Sequence, residues 1–228
     1  MTGIKDQPPQ RAETARHGPR QGSEICKSPA ETTAAWPYQT EKTMLVPYSK
    51  SWKVFPDGLL GHLYLRTKQD ERLEMIFDTG MDFDGFVSYF AKKTVAMQVY
   101  AMKEGPDLIP AGYCWVDDVV GRDGARRAVF GLCFFKEYRG RREVADLGWQ
   151  SLKYWFTELK IDVLFGITME SNLQARNFAR RYSFKEIGVM EKFMYRQGNL
   201  TSGRLVMLDR ETFEPRYQRW LEERSVKG

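Results

Sequence analysis

The chain has 228 residues, 42% apolar and 14% aromatic, and its 35 basic and 30 acidic side chains leave a net charge of +5. That length supports one sizeable core, or one domain with an added arm; the mild, mixed charge suits an anionic small ligand and is too weak to argue for nucleic acid. No run approaches the ~20 apolar residues that span a bilayer, and MTGIKDQPPQRAETARHG has no apolar core behind its charges, so a soluble cytoplasmic protein without membrane attachment is expected.

Residues 1–42 read as a flexible arm. Pro8, Pro9, Pro19, Pro29 and Pro37 are half of the 10 prolines, and the rest is mostly small, polar or charged, with little apolar surface to offset the entropy of ordering. A partner that holds the arm is the alternative. Residues 43–228 read as one domain. GLLGHLYLRTKQDERLEMIF, after Pro56-Asp57-Gly58, has leucines at helical spacing, and DFDGFVSYFAKK gives a second, short helix. TVAMQVYAMKEG and LIPAGYCWVDDVV are strands joined at Gly105-Pro106-Asp107, and ARRAVFGLCFF is a third after the turn at 121–124. Val144, Leu147, Gly148, Leu152, Trp155, Phe156 and Leu159 form the apolar stripe of a long helix. IDVLFGITM is a short apolar run, as in a strand covered on both faces. NLQARNFARRYSF is a helix capped by Asn172. FKEIGVMEKFMYRQ and RLVMLDRE are strands around the turn GNLTSG, and ETFEPRYQRWLEERSVKG is a terminal amphipathic helix. The order predicts an α/β protein with a mixed sheet and helices on its faces.

The cysteines Cys26, Cys114 and Cys133 are odd in number and widely spaced, and His17 and His62 have no ligand-spaced partners. Neither a disulfide framework nor a metal site is expected.

The combination of Asn172, Ala175, Phe178 and Phe184 in the late helix with Tyr138-Arg139-Gly140 at the strand-to-helix turn resembles the GNAT superfamily of N-acetyltransferases, over about Met44 to Glu211. That family carries N-x-x-A-x-x-L-Y-x-x-x-G-F on the helix and Q/R-x-x-G-x-G/A on the turn. Here Arg142 stands at the first glycine of the turn motif and Val144 at its Gly/Ala position, a degenerate form of the loop. The resemblance implies a GNAT-like fold with a twisted mixed antiparallel/parallel sheet. It also implies acetyl-CoA as donor, retained or lost, and an amine acceptor, either a small molecule or a protein. Amides around Arg139, Gly140, Arg141, Arg142 and Val144, at a helix tip, would hold the pyrophosphate. Phe134, Phe135 and Lys136 would line the pantetheine arm on a strand that splays from its neighbour, and Asn172 would complete the cofactor set. Ala179 occupies the step where the family commonly carries an acidic tyrosine, which leaves Tyr182 as the candidate acid. Glu170 is the candidate base, with Asp117 and Asp118 as alternatives. The aromatic cluster Phe134, Phe135, Tyr138, Trp149, Tyr154, Trp155 and Phe156 reads as core packing between helix and sheet.

The degenerate turn also resembles GNAT-like proteins encoded among phage head genes. This keeps open a second function, a non-catalytic adaptor or virion component anchored to phage structural proteins by its N-terminal arm. A nucleic-acid contact through the basic turn and tail is a weaker third. The acceptor is not legible in the sequence.

Overall fold

The computed structural model describes residues 38–49, 55, 58–71, 76–77, 81–196 and 199–225, so the expected arm lies outside the described residues up to residue 37. Eight strands, β1 (Tyr38–Gln39), β2 (Thr43–Pro47), β3 (Thr94–Glu104), β4 (Asp107–Val120), β5 (Arg127–Phe134), β6 (Val163–Met169), β7 (Lys185–Arg196) and β8 (Asn199–Asp209), form one sheet in the order β1-β2-β3-β4-β5-β6-β8-β7. Helices α1 (Leu59–Gln69), α2 (Phe83–Lys92), α3 (Arg142–Thr157), α4 (Leu173–Arg181) and α5 (Arg210–Ser225) cover it. Every strand pair is antiparallel except β5–β6, which is parallel.

Alternation along the strands decides which helix covers which face. On one side Tyr113 and Trp115 of β4 meet α1 and α2: the Tyr113 hydroxyl is 2.9 Å from that of Thr67, and Phe90 packs edge-on against both rings. On the other side Tyr100 of β3 is hydrogen-bonded to Ser151 of α3 at 2.9 Å, and Phe130 of β5 packs on Trp155. Helix α5 closes that side by stacking Phe213 on Phe156 and Trp220 on Trp149. The aromatic cluster is thus largely core, as expected. No helix among the described residues is long and apolar enough to cross a membrane.

The elements of the middle of the chain, from α2 to α4, match the sequence patterns closely. Three differences stand out. Tyr38–Gln39, within the segment assigned to the arm, pairs with Met44 and Leu45, and β2 runs antiparallel to β3, so the sheet begins two strands earlier than expected. Helix α1 stops at Gln69 rather than running on towards Phe77. Glu71 adopts φ 55°, a left-handed conformation that ends a helix, and the Asp70 carboxylate is used elsewhere, accepting from the Lys136 amide and the Arg139 guanidinium. Third, most of GNLTSG is strand, because β8 begins at Asn199 and Thr201 pairs with Met194.

Candidate active site

Strands β5 and β6 pair over only three rungs, Arg127–Val163, Ala128–Leu164 and Val129–Phe165, and then diverge. Phe130–Phe134 and Gly166–Met169 are left facing each other across a wedge. A cavity of about 750 Å³ fills it and is lined from both faces of the sheet. Arg141, Val144, Phe178 and Tyr182 line the α3/α4 side; Tyr89, Trp115, Asp117 and Phe193 line the other. The opening therefore runs through the sheet.

The α3 tip abuts one end of this opening. Helices α2, α4 and α5 are closed by side-chain caps, in which Asp82, Asn172 and Asp209 accept from the amides of Gly85, Ala175 and Thr212 at 2.7, 3.1 and 2.7 Å. Helix α3 has none, since Arg141 at its N-cap makes no capping bond. The first backbone bond at this tip is from Ala145 to Arg141, so the amides of Arg142, Glu143 and Val144 have no main-chain acceptor. Glu143 turns its carboxylate onto its own amide, which is the main reason its pKa is lowered, and it also pairs with Lys42 at 3.6 Å. Two amides without a partner among the described residues remain, those of Arg142 and Val144. Gly140, at φ 81°, makes the left-handed turn that delivers the chain to this tip.

Of the residues expected to hold a cofactor, Phe134, Arg139, Gly140, Arg141, Val144 and Asn172 line the cavity. Phe135 does not: its ring is buried against Tyr113 and lies under the Arg66 guanidinium. Lys136 is exposed, with its amide bonded to Asp70. Arg142 points instead into a groove beside α5, with Asp146, Arg216 and Trp220, so its bulk at the glycine position does not fill the wedge. The Arg139 side chain is occupied structurally, donating to the Phe134 carbonyl at 2.8 Å and to Asp70 at 2.7 Å. Arg141 is folded over the Tyr138 ring and bonds the Glu137 carbonyl.

The two candidate catalytic residues are placed differently. Glu170 is outside the cavity lining, and its carboxylate is tied to Arg204, which also holds Glu186. Tyr182 reaches the cavity wall, but its hydroxyl donates to the Ala145 carbonyl at 2.5 Å, and burial pushes its pKa up. Asp118 is exposed, at φ 48° in the part of β4 where its register with β5 shifts.

Asp117, beside it, is 5% exposed and lines the cavity. Its Oδ2 accepts from the Trp115 indole at 2.7 Å and from the Tyr89 hydroxyl, while Thr94 stands directly opposite it in the β3–β4 register. Burial raises its pKa, opposed chiefly by the bonds from Tyr89 and Trp115; its Oδ1 and the Thr94 hydroxyl have no hydrogen-bond partner among the described residues. The indole reaches the wedge because Gly131, its cross-strand partner, has no side chain; a Cβ there would lie 2.0 Å from the ring. Tyr89 and Trp115 carried no motif. The usable signal was Gly131, a lone glycine in an apolar strand, which marks close approach of another group.

This fold is shared with solved N-acetyltransferases, among them one described as of the GNAT family. Spermidine N-acetyltransferase from Vibrio cholerae, solved with CoA and spermine, superposes with a TM-score of 0.61 at 13% identity, over 76% of this chain and 99% of that one. RimJ from Mycobacterium smegmatis, solved with CoA-disulfide, gives 0.58 at 15%, over 75% and 84%. A probable GNAT-family acetyltransferase from Chromobacterium violaceum gives 0.60 at 17%, over 88% and 100%. At these identities the likeness establishes the fold. No protein-family model and no curated protein sequence matches the chain.

Proposed function

We propose that this protein is an acetyl-CoA-dependent N-acetyltransferase acting on an amine. The observation that carries the proposal is the through-going cavity between β5 and β6, with unpaired amides of the α3 tip at one end. A helix tip without a side-chain cap is a site for a phosphate group, and the free edge of β5 offers main-chain groups to an extended amide-bearing arm and to a thioester carbonyl. A cavity lined from both faces of the sheet suits two substrates that meet in the middle. The acceptor nitrogen attacks the thioester carbonyl carbon, a C–N bond forms and the C–S bond breaks. Sulfur leaves with the electron pair and takes up a proton that the nitrogen loses. Val144 at the motif's small-residue position narrows the donor side without closing it. A non-catalytic adaptor requires no such opening, and two structural neighbours were solved with CoA or CoA-disulfide, which supports a donor of that chemistry.

Titration calorimetry and thermal melting with coenzyme A test this. A ligand at 100 times its Kd stabilises by about 2.7 kcal/mol, which for a chain of this size is a shift of roughly 5–10 °C. Glu143→Ala, which removes a carboxylate from the phosphate site, is expected to tighten binding by roughly two- to fivefold. The absence of both heat and a melting shift at millimolar coenzyme A would refute the proposal.

A further inference from the structure

The acceptor end of the cavity contains a buried carboxyl group without a counter-ion among the described residues. Asp117 is buried, and each group that bonds it is neutral: the Tyr89 hydroxyl and the Trp115 indole, both on Oδ2, while Oδ1 has no hydrogen-bond partner among the described residues. Among the described residues no lysine, arginine or histidine forms an ion pair with it. Lys93 lies nearby, but its ammonium is over the Tyr89 ring, 5.9 Å from the centroid. The one charge that Asp117 feels from a neighbour is the like charge of Asp118. A buried carboxylate with neutral donors alone is costly unless a cation completes it.

The surroundings suit such a cation. Asp117 is at the rung next to the apex of the wedge, since its partner Val129 makes the last β5–β6 pair. Tyr89 and Trp115 stand beside it, 6.3 Å apart and perpendicular, and both line the cavity with it. A buried carboxylate with an unsatisfied oxygen attracts an organic ammonium through charge and hydrogen bonding together.

We infer that Asp117, with Tyr89 and Trp115, is the seat of the acceptor's ammonium group, so that the substrate is a cationic primary amine whose charged head enters from the α1/α2 face. This rests on the acetyl-transfer proposal for its biological sense, but the seat is testable alone. Bound there, the ammonium passes one proton to the Asp117 carboxylate and becomes the neutral nucleophile; Asp117 returns that proton to solvent after turnover.

The probe is butylammonium, with 1-butanol as its neutral isostere, and the reporter is the Trp115 indole N–H resonance, assigned with Trp115→Phe. Butylammonium is expected to move that signal saturably, with 1-butanol at least about tenfold weaker, and Asp117→Asn is expected to abolish the preference. In acetyl transfer from acetyl-CoA, the same variant raises KM for the amine and leaves KM for acetyl-CoA unchanged. Equal binding of amine and alcohol to the wild-type protein overturns the seat, whether or not the variant folds. Coenzyme A binding without ammonium preference keeps the acetyl-transfer proposal and sinks the seat; ammonium preference without coenzyme A binding does the reverse.

Discussion

Gly148 is where α3 makes room for Tyr182. A Cβ at this position would lie 2.5 Å from the tyrosine hydroxyl, which is buried and bonded to Ala145 one turn earlier in the same helix. Gly148→Ala gains up to about 1 kcal/mol of helix propensity but forces a rigid, packed ring to shift, and a net loss of about 1–2 kcal/mol is expected from urea midpoints. Tyr182→Phe removes the clashing oxygen, so the double variant should be more stable than the sum of the singles by at least about 0.5 kcal/mol. Strict additivity would mean that the hydroxyl does not pack here. At this scale the sequence was a partial guide. The spacing of Asn172, Ala175 and Phe178 located α4 and its cap, because those bonds are local. It could not reveal that Arg139 is spent on Asp70, 69 positions away, or that Glu170 is held by Arg204, since both depend on which loops meet.

The helices divide by how their N-termini are closed. Asp209 caps α5, and its carboxyl is held below the ordinary 3.8, first by the Thr212 hydroxyl, with further help from the Thr212 amide and Lys185 against a rise from burial. A carboxyl whose pKa is lower in the folded than in the unfolded chain contributes stability that is present above the unfolded value and lost as pH falls through the folded one. Asp209→Ala is therefore expected to cost about 1 kcal/mol at neutral pH, and the gap between variant and parent should narrow below pH 3.8, as read from urea midpoints at each pH. A gap that widens in acid would contradict the cap. Helix α3 forgoes a stabilisation of this kind, and Val144 of its first turn lines the cavity. The element pattern was the most legible part of the fold: periodicity and turn residues located α2 to α4, whereas β1 and β2 were hidden because short edge strands carry too few residues to show alternation.

Across the molecule, the sheet among the described residues opens between β5 and β6, which share three rungs. Sequence gave both strands as apolar runs but not the number of rungs they share, which depends on twist and on the residues packed between them, such as the Phe130 ring against Gly166. Hydrogen exchange should detect the consequence. Coenzyme A is expected to slow exchange in Phe130–Phe134 and in the first turn of α3, while amides in β2 and β3 keep their rates. A uniform change along the chain, or none, would place the ligand elsewhere.

Three rungs also set a mechanical relation. Strands β1–β5 form one plate and β6–β8 another, hinged at Arg127–Val129 with Val163–Phe165. Because the gap passes from face to face, its two entrances share a single pivot. A shim that spreads one entrance spreads the other, and whatever occupies the first adjusts the fit offered to the second.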